Sequence, residues 1–164
     1  MIWEEQVFNL ADTKDSSFVG AIGEMIAWKY LRDRRIWAHR IGLWYPYPAD
    51  YPFRKGEPIY EREGLNGEQV EYLKSRTLHG QRSYDFIGFK RKRLPGGRVG
   101  EVENVYLVEV KTAGPAASKS WTERGVKRKI PEDIERAKAL GFKVLLILVE
   151  LFDDWKCTVN CKEL

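Results

Sequence analysis

Glu109, Val110 and Lys111 close an otherwise apolar run, Asn104 to Thr112 (NVYLVEVKT), whose β-branched and aromatic residues predict a strand. Side chains alternate along a strand, so Glu109 and Lys111 share one face and Val110 takes the other. A carboxylate and an ammonium on a core strand are costly to bury unless each is satisfied, so the two are either a structural ion pair or a pair put to use. Asp85 offers a second acid. The run Tyr84-Asp85-Phe86-Ile87 places a lone carboxylate at the start of the preceding strand, where it is either a turn residue or a partner for Glu109. Two carboxylates around a gap are oxygen donors suited to a hard cation such as Mg²⁺, which keeps several waters and contacts phosphate oxygens. Glu24 is the third acid. Its neighbours three and four positions away on a helix are Gly20, Ala21, Ala27 and Trp28, while Lys29, Arg32, Asp33 and Arg34 lie on other sides. A glutamate on the surface at a helix edge usually has polar neighbours, and this small, apolar face predicts instead that Glu24 points inward.

These residues must be positioned by a short series of elements. Asp15-Ser16-Ser17 supplies cap-type residues for a proline-free helix over about Phe18 to Arg34. The alternation in Ile36 to Ile41 (IWAHRI) predicts a half-buried strand. From about 44 to 83 the text changes to a segment rich in aromatic residues and proline, broken by Pro46, Pro48, Pro52 and Pro58, with a short helix near Glu68 to Arg76. It reads as an insertion on the core. Tyr84 to Lys90 and Asn104 to Thr112 then predict an antiparallel pair around the LPGGR turn, Leu94 to Arg98. Ile130-Pro131-Glu132-Asp133 opens a helix to about Leu140, ended by Gly141. Phe142 to Phe152 reads as a buried strand, with Lys156 to Val159 beside it as an edge. The fold class is therefore α/β, with a central mixed sheet flanked by helices.

With Glu24 on the first helix (GEMIAWKYL), Asp85 in YDFIGF, Glu109, Lys111 and Thr112 in LVEVKT, and the closing helix and strand IPEDIERAKALGFKVLLILVEL, the chain resembles the PD-(D/E)xK nuclease superfamily. That superfamily has a restriction-endonuclease-like αβββαβ core. The pattern is nearest to archaeal Holliday-junction resolvases and related archaeal or viral nucleases. The resemblance covers roughly half of the chain by its order of elements. Tyr84 stands where the family name has proline, and the long aromatic insertion has no counterpart. The resemblance implies a Mg²⁺-dependent endodeoxyribonuclease, with Mn²⁺ able to substitute. Asp85 and Glu109, with the Val110 carbonyl, would hold the metal, and Glu24 would ligate it through water or place a second ion. Lys111 would orient or deprotonate the attacking water, leaving 5′-phosphate and 3′-hydroxyl ends. The substrate would be DNA, branched DNA among it, and a homodimer is compatible with the family's symmetrical substrates.

Two basic clusters fit such a substrate. One is Lys90-Arg91-Lys92-Arg93 with Arg98, of which Arg91 and Arg93 are candidate DNA contacts; the other, Lys119, Arg124, Lys127, Arg128 and Lys129, follows the Glu109 strand. Each would neutralise several phosphates, and each is otherwise a solvated turn or loop face. Trp44, Tyr45, Tyr47, Tyr51 and Phe53, followed by Arg54-Lys55, would stack on unpaired bases, form a dimer interface, or pack on the core.

Composition sets the outer bounds. The 164 residues carry 28 Lys+Arg against 24 Asp+Glu, a net charge of +4, so any polyanion must be met by locally concentrated charge. The length predicts one domain over residues 1–164 with the insertion inside it. The longest apolar stretch, Val144 to Val149, is far short of a bilayer span, so no membrane partner is expected. The opening MIWEEQ has no basic n-region and apolar h-region, which predicts a cytoplasmic, intracellular protein. Cys157 and Cys161 lie four apart on an extended segment, too far to bridge each other, and read as reduced, partly buried thiols. With His39 and His79 they would make four zinc ligands, but no pair has finger-like spacing. Two other classes of function remain open: a non-catalytic nucleic-acid-binding protein on the same fold, and a viral or archaeal assembly protein using the aromatic segment as its interface.

Overall fold

The computed structural model describes residues 16–40, 63–78, 84–114, 131–152 and 156–164. Helix α1 spans Ser16–Asp33 and strand β1 spans Ile36–Arg40. Helix α2 spans Gly67–Leu78, β2 Phe86–Arg93 and β3 Val99–Ala113, and the last two are joined by a single 3₁₀ turn at Pro95–Gly97. Helix α3 (Pro131–Ala139), β4 (Lys143–Leu151) and β5 (Cys157–Glu163) complete the order. The five strands form one mixed sheet in the order β1-β2-β3-β4-β5. β3 and β4 are parallel, as a connection through a helix requires, and every other pairing is antiparallel.

Each face of the sheet has its own apolar layer. Ala27 and Leu31 of α1 are fully buried against Ile36, Phe86, Val108, Val110 and Ile147. The indole Nε1 of Trp28 donates to the Ala38 carbonyl at 3.2 Å, which pins α1 to β1. On the opposite face Val70, Tyr72 and Leu73 of α2 join Ile134 and Ala137 of α3 against Ile87, Phe89, Leu107 and Val144. The central strands are thus buried on both faces, which explains the nearly continuous apolar text of β4.

Four sequence expectations need correction. The short helix expected near Glu68 to Arg76 is longer, Gly67–Leu78, and packs into the core through Val70, Tyr72 and Leu73. Asn66 and Gln69 form a reciprocal capping box, with side chain to backbone bonds of 2.9 and 3.0 Å, and Gln69 Nε2 then donates to the Leu140 carbonyl at the end of α3, at 2.8 Å. The β2–β3 hairpin is longer than expected, because Lys90 to Arg93 continue β2 and β3 begins at Val99. The first basic cluster is therefore carried mostly on a strand rather than in a loop. β5 extends to Glu163, and its cysteines are free and exposed, since this edge strand packs little on either face. The remaining elements start and end within a few residues of their predicted limits. Among the described residues no helix is long and apolar enough to cross a membrane.

Candidate functional site

β3 outruns its neighbour β2, and the candidate site forms where that happens. The ladder between them ends with Phe86 opposite Val108. One step further the Asp85 amide still donates to the Val108 carbonyl at 2.9 Å, and continuing the register sets Asp85 opposite Glu109. The next amide of β3 facing that side, Val110, meets no strand among the described residues. The Asp85 carboxylate takes the place of that strand, with Oδ2 accepting from the Val110 amide at 2.7 Å. Asp85 is thus fixed by the end of the sheet, with its carboxylate near enough to that of Glu109 for the two charges to act on one another.

Glu109 is buried, and Lys111 Nζ donates to its Oε1 at 2.5 Å. This contact places both side chains on one face, as alternation predicts, while Val110 packs into the layer beneath α1. Burial pushes the Asp85 carboxyl up to about 7, helped by the negative charges of Glu109 and then Glu24, while the Val110 amide and Lys111 pull the other way. Two carboxylates held this close in a partly desolvated site repel, and the repulsion is what the proton relieves.

Glu24 comes to the same end of the sheet from α1. It turns toward the sheet, as its small neighbours predict, but its carboxylate is not alone: Arg40 Nε lies 2.8 Å from Oε2. Burial raises the Glu24 carboxyl, Arg40 opposes that rise, and Glu109 adds to it. Arg40 is the site residue that the sequence reading missed. The signal was present, because the alternation of IWAHR puts Arg40 on the same face as Ile36 and Ala38, and a cation ending an apolar face needs a partner. A second missed residue is Gly23. A Cβ built there would lie 1.7 Å from Thr112 Oγ1, so only glycine lets α1 cross β3 beside Lys111.

The residue before Asp85 is anchored from the other face. Tyr84 OH and Tyr72 OH both donate to the buried Asp133 carboxylate of α3, at 3.4 and 3.0 Å. This network ties the start of β2 to α2 and α3, and it occupies the position where the resembled family carries proline.

The structure brings Asp85, Glu109 and Lys111 together and sets Glu24 close enough to act on both acids. Among the described residues no three His, Cys, Asp or Glu side chains are grouped as ligands for one metal ion. Arg91 and Arg93 lie on the far end of β2, and the Arg91 guanidinium pairs with Glu63. Lys119, Arg124, Lys127, Arg128 and Lys129 lie outside the described residues, as do His79 and the aromatic run from Trp44 to Phe53. Neither a protein-family model, nor a curated protein, nor a solved structure matches the chain.

Proposed function

We propose that the chain is a metal-dependent endodeoxyribonuclease with a restriction-endonuclease-like core, hydrolysing phosphodiester bonds, branched DNA among its substrates. The observation that carries this reading is the meeting of Asp85 and Glu109 across the ends of β2 and β3, with Lys111 on Glu109. The order α1, β1, β2, β3, α3, β4 supports it too, being the order of the resembled core. The donor chemistry fits a hard divalent cation, since two carboxylates facing one another supply the oxygens that Mg²⁺ takes. A positive charge between them would also remove the repulsion that adds to the rise burial imposes on Asp85. Asp85 and Glu109 would hold the metal, with the Val110 carbonyl, and Glu24 would bind through water. When bound, the metal lowers the pKa of its water and neutralises charge on the phosphate. Lys111 holds an ammonium where negative charge would grow on the phosphate oxygens, and its placement before substrate arrives is what makes such a charge effective.

A second reading has an observation in its favour. Glu109 and Glu24 each already carry a cation from this chain, Lys111 and Arg40. A nucleic-acid-binding protein on the same fold, without catalysis, would keep such pairs as structural ties. The deciding experiment is cleavage of end-labelled four-way junction, duplex and single-stranded DNA with Mg²⁺, Mn²⁺ or EDTA, comparing wild type with Glu109→Gln and Lys111→Gln, each verified as folded by circular dichroism. Metal-dependent cutting that both substitutions abolish establishes the nuclease. Binding without cutting on every substrate leaves the binding protein.

A further inference from the structure

Three strand ends and one helix meet around the candidate site, and each brings charge to it. Arg40 is the last residue of β1 and lies opposite Phe86, the neighbour of Asp85. The α1 backbone at Gly23 lies against the Thr112 side chain, which brings Glu24 to the end of β3 that carries Lys111. Arg40 Nε is 2.8 Å from Glu24 Oε2, the Glu24 charge acts on Asp85, and that of Glu109 acts on Glu24. The group thus holds three carboxylates, Glu24, Asp85 and Glu109, and two bases, Lys111 and Arg40. Its two ion pairs differ in how open they are. Lys111 and Glu109 keep 21% and 11% of their side-chain surface in water, whereas Arg40 keeps 54% against 22% for Glu24. A pair with one partner this open contributes little to stability, so Glu24 holds Arg40 weakly and from the protein side.

We propose that Arg40 is a phosphate-binding residue, which Glu24 holds in the absence of a divalent cation and gives up to the substrate when one binds among the acids. The proposal rests on the reading of Asp85 and Glu109 as a cation site. Charge sets the order of events. Fully ionised, the three carboxylates and two bases leave one negative charge; a divalent cation turns this into one positive charge, and a single phosphodiester restores neutrality. Arg40 is the base that becomes surplus, because Glu24 then meets an ion of twice its charge while Lys111 stays on the more buried Glu109. The cation also offsets the repulsion from Glu109 that acts on Glu24. A guanidinium presents its donors in a plane that matches two phosphate oxygens, and of the two bases Arg40 has the solvent access that a phosphate needs. A purely structural tie behaves otherwise, since Arg40 would then stay on Glu24 with or without metal.

The test is binding to a fluorescent duplex of about 20 base pairs across a salt series, once in EDTA and once in Mg²⁺. Every protein carries Lys111→Gln, so that the DNA stays whole, and Arg40→Met, Arg40→Lys, Glu24→Gln and Glu24→Gln/Arg40→Met are compared with that parent. In Mg²⁺, Arg40→Met loses about 0.9 from the slope of log K against log salt, hence roughly 8-fold in affinity at 0.1 M relative to 1 M. Arg40→Lys keeps the slope, and in EDTA Arg40→Met binds as its parent does. Glu24→Gln reads the same exchange with Arg40 intact: it binds DNA more tightly than the parent in EDTA, and adding Arg40→Met removes the gain. In calorimetric titration with Mg²⁺ alone and Lys111 in place, Arg40→Met binds the cation up to about fivefold more tightly than wild type, since no pair has to be opened. An equal loss of DNA affinity in EDTA and in Mg²⁺ overturns the exchange, and no loss in either overturns the phosphate contact. In both cases the nuclease reading stands if the wild type cuts. A Mg²⁺-dependent loss in a chain whose wild type does not cut keeps the exchange and removes the nuclease. A wild type that binds no Mg²⁺ overturns both.

Discussion

Asp85→Asn separates the electrostatics of the site from its architecture. The asparagine Oδ1 can still accept from the Val110 amide, so the end of the sheet keeps its hydrogen bond and loses only the charge. The Asp85 carboxyl is raised from 3.8 to about 7, by burial first and by Glu109 second. Between those values the folded chain holds a proton that the unfolded chain has released. Stability therefore falls as pH rises through this window. The full shift corresponds to a penalty on the order of 4 kcal/mol above pH 7, at 1.36 kcal/mol for each unit. Urea denaturation in EDTA from pH 4 to pH 8.5 should show wild-type stability declining across the window, while Asp85→Asn declines much less. The variant should match wild type near pH 4 and exceed it near pH 8. Divalent metal gives the second arm of the assay. At about a hundred times its dissociation constant, Mg²⁺ should return roughly 2.7 kcal/mol to the wild type at pH 8 and little to Asp85→Asn. Two curves that run parallel at every pH would refute the claim that burial and Glu109 together hold a proton on Asp85. A metal response that the substitution leaves unchanged would refute the pairing of those two acids as the metal site.

Lys111→Met leaves the buried Glu109 without its ammonium and should cost about 3 kcal/mol by denaturation, while Glu109→Gln/Lys111→Met recovers most of that loss. Additive losses would mean that the 2.5 Å contact contributes little. Gly23→Ala should destabilise by about 1–3 kcal/mol, although alanine is the better helix former by about 1 kcal/mol, because its methyl meets Thr112 Oγ1. A more stable alanine variant would show that α1 can lift away from β3 freely. Tyr72→Phe removes one donor from the buried Asp133 and should cost about 1–2 kcal/mol. Its thermal denaturation should show a lowered midpoint, and no change would mean that Asp133 is satisfied without it.

The elements legible in the sequence are those whose text is governed by one rule. α1 shows in a proline-free run, although of the apolar residues whose spacing marks it, Phe18, Ile22, Met25 and Ile26, Phe18 and Met25 are exposed and the burial falls on Ala27 and Leu31; α3 shows in a proline at its first position and a glycine after its last turn, and β4 in a run too apolar to face water. Alternation alone put Glu109 and Lys111 on one face, and the helical wheel alone turned Glu24 toward the sheet. What escaped notice depends on partners distant in sequence. Gln69 looks like an ordinary helix residue until its amide reaches Leu140, 71 residues away. Arg40 looks like the end of a strand until Glu24 is set against it. The basic text from Lys90 to Arg93 reads as a loop because charge normally marks solvent, and nothing local says that β3 returns alongside it.

The site depends on the register of β2 on β3. Asp85 faces Glu109 only while Phe86 stays opposite Val108, and a slip of one residue would carry Glu109 and Lys111 to the α1 face in place of Val108 and Val110. Bending of the β2–β3 hairpin beyond Lys90 would threaten that register if the ladder were continuous with the site. It is not continuous, because the ladder is interrupted between Lys90 and Arg91 and again between Arg91 and Arg93. Bulges bend a strand and absorb twist where they occur. Both lie beyond the last contact of β2 with β1. Bending there leaves the regular ladder from Phe86 to Lys90 in place, so the tip can adjust its direction while the carboxylates at the other end stay opposed.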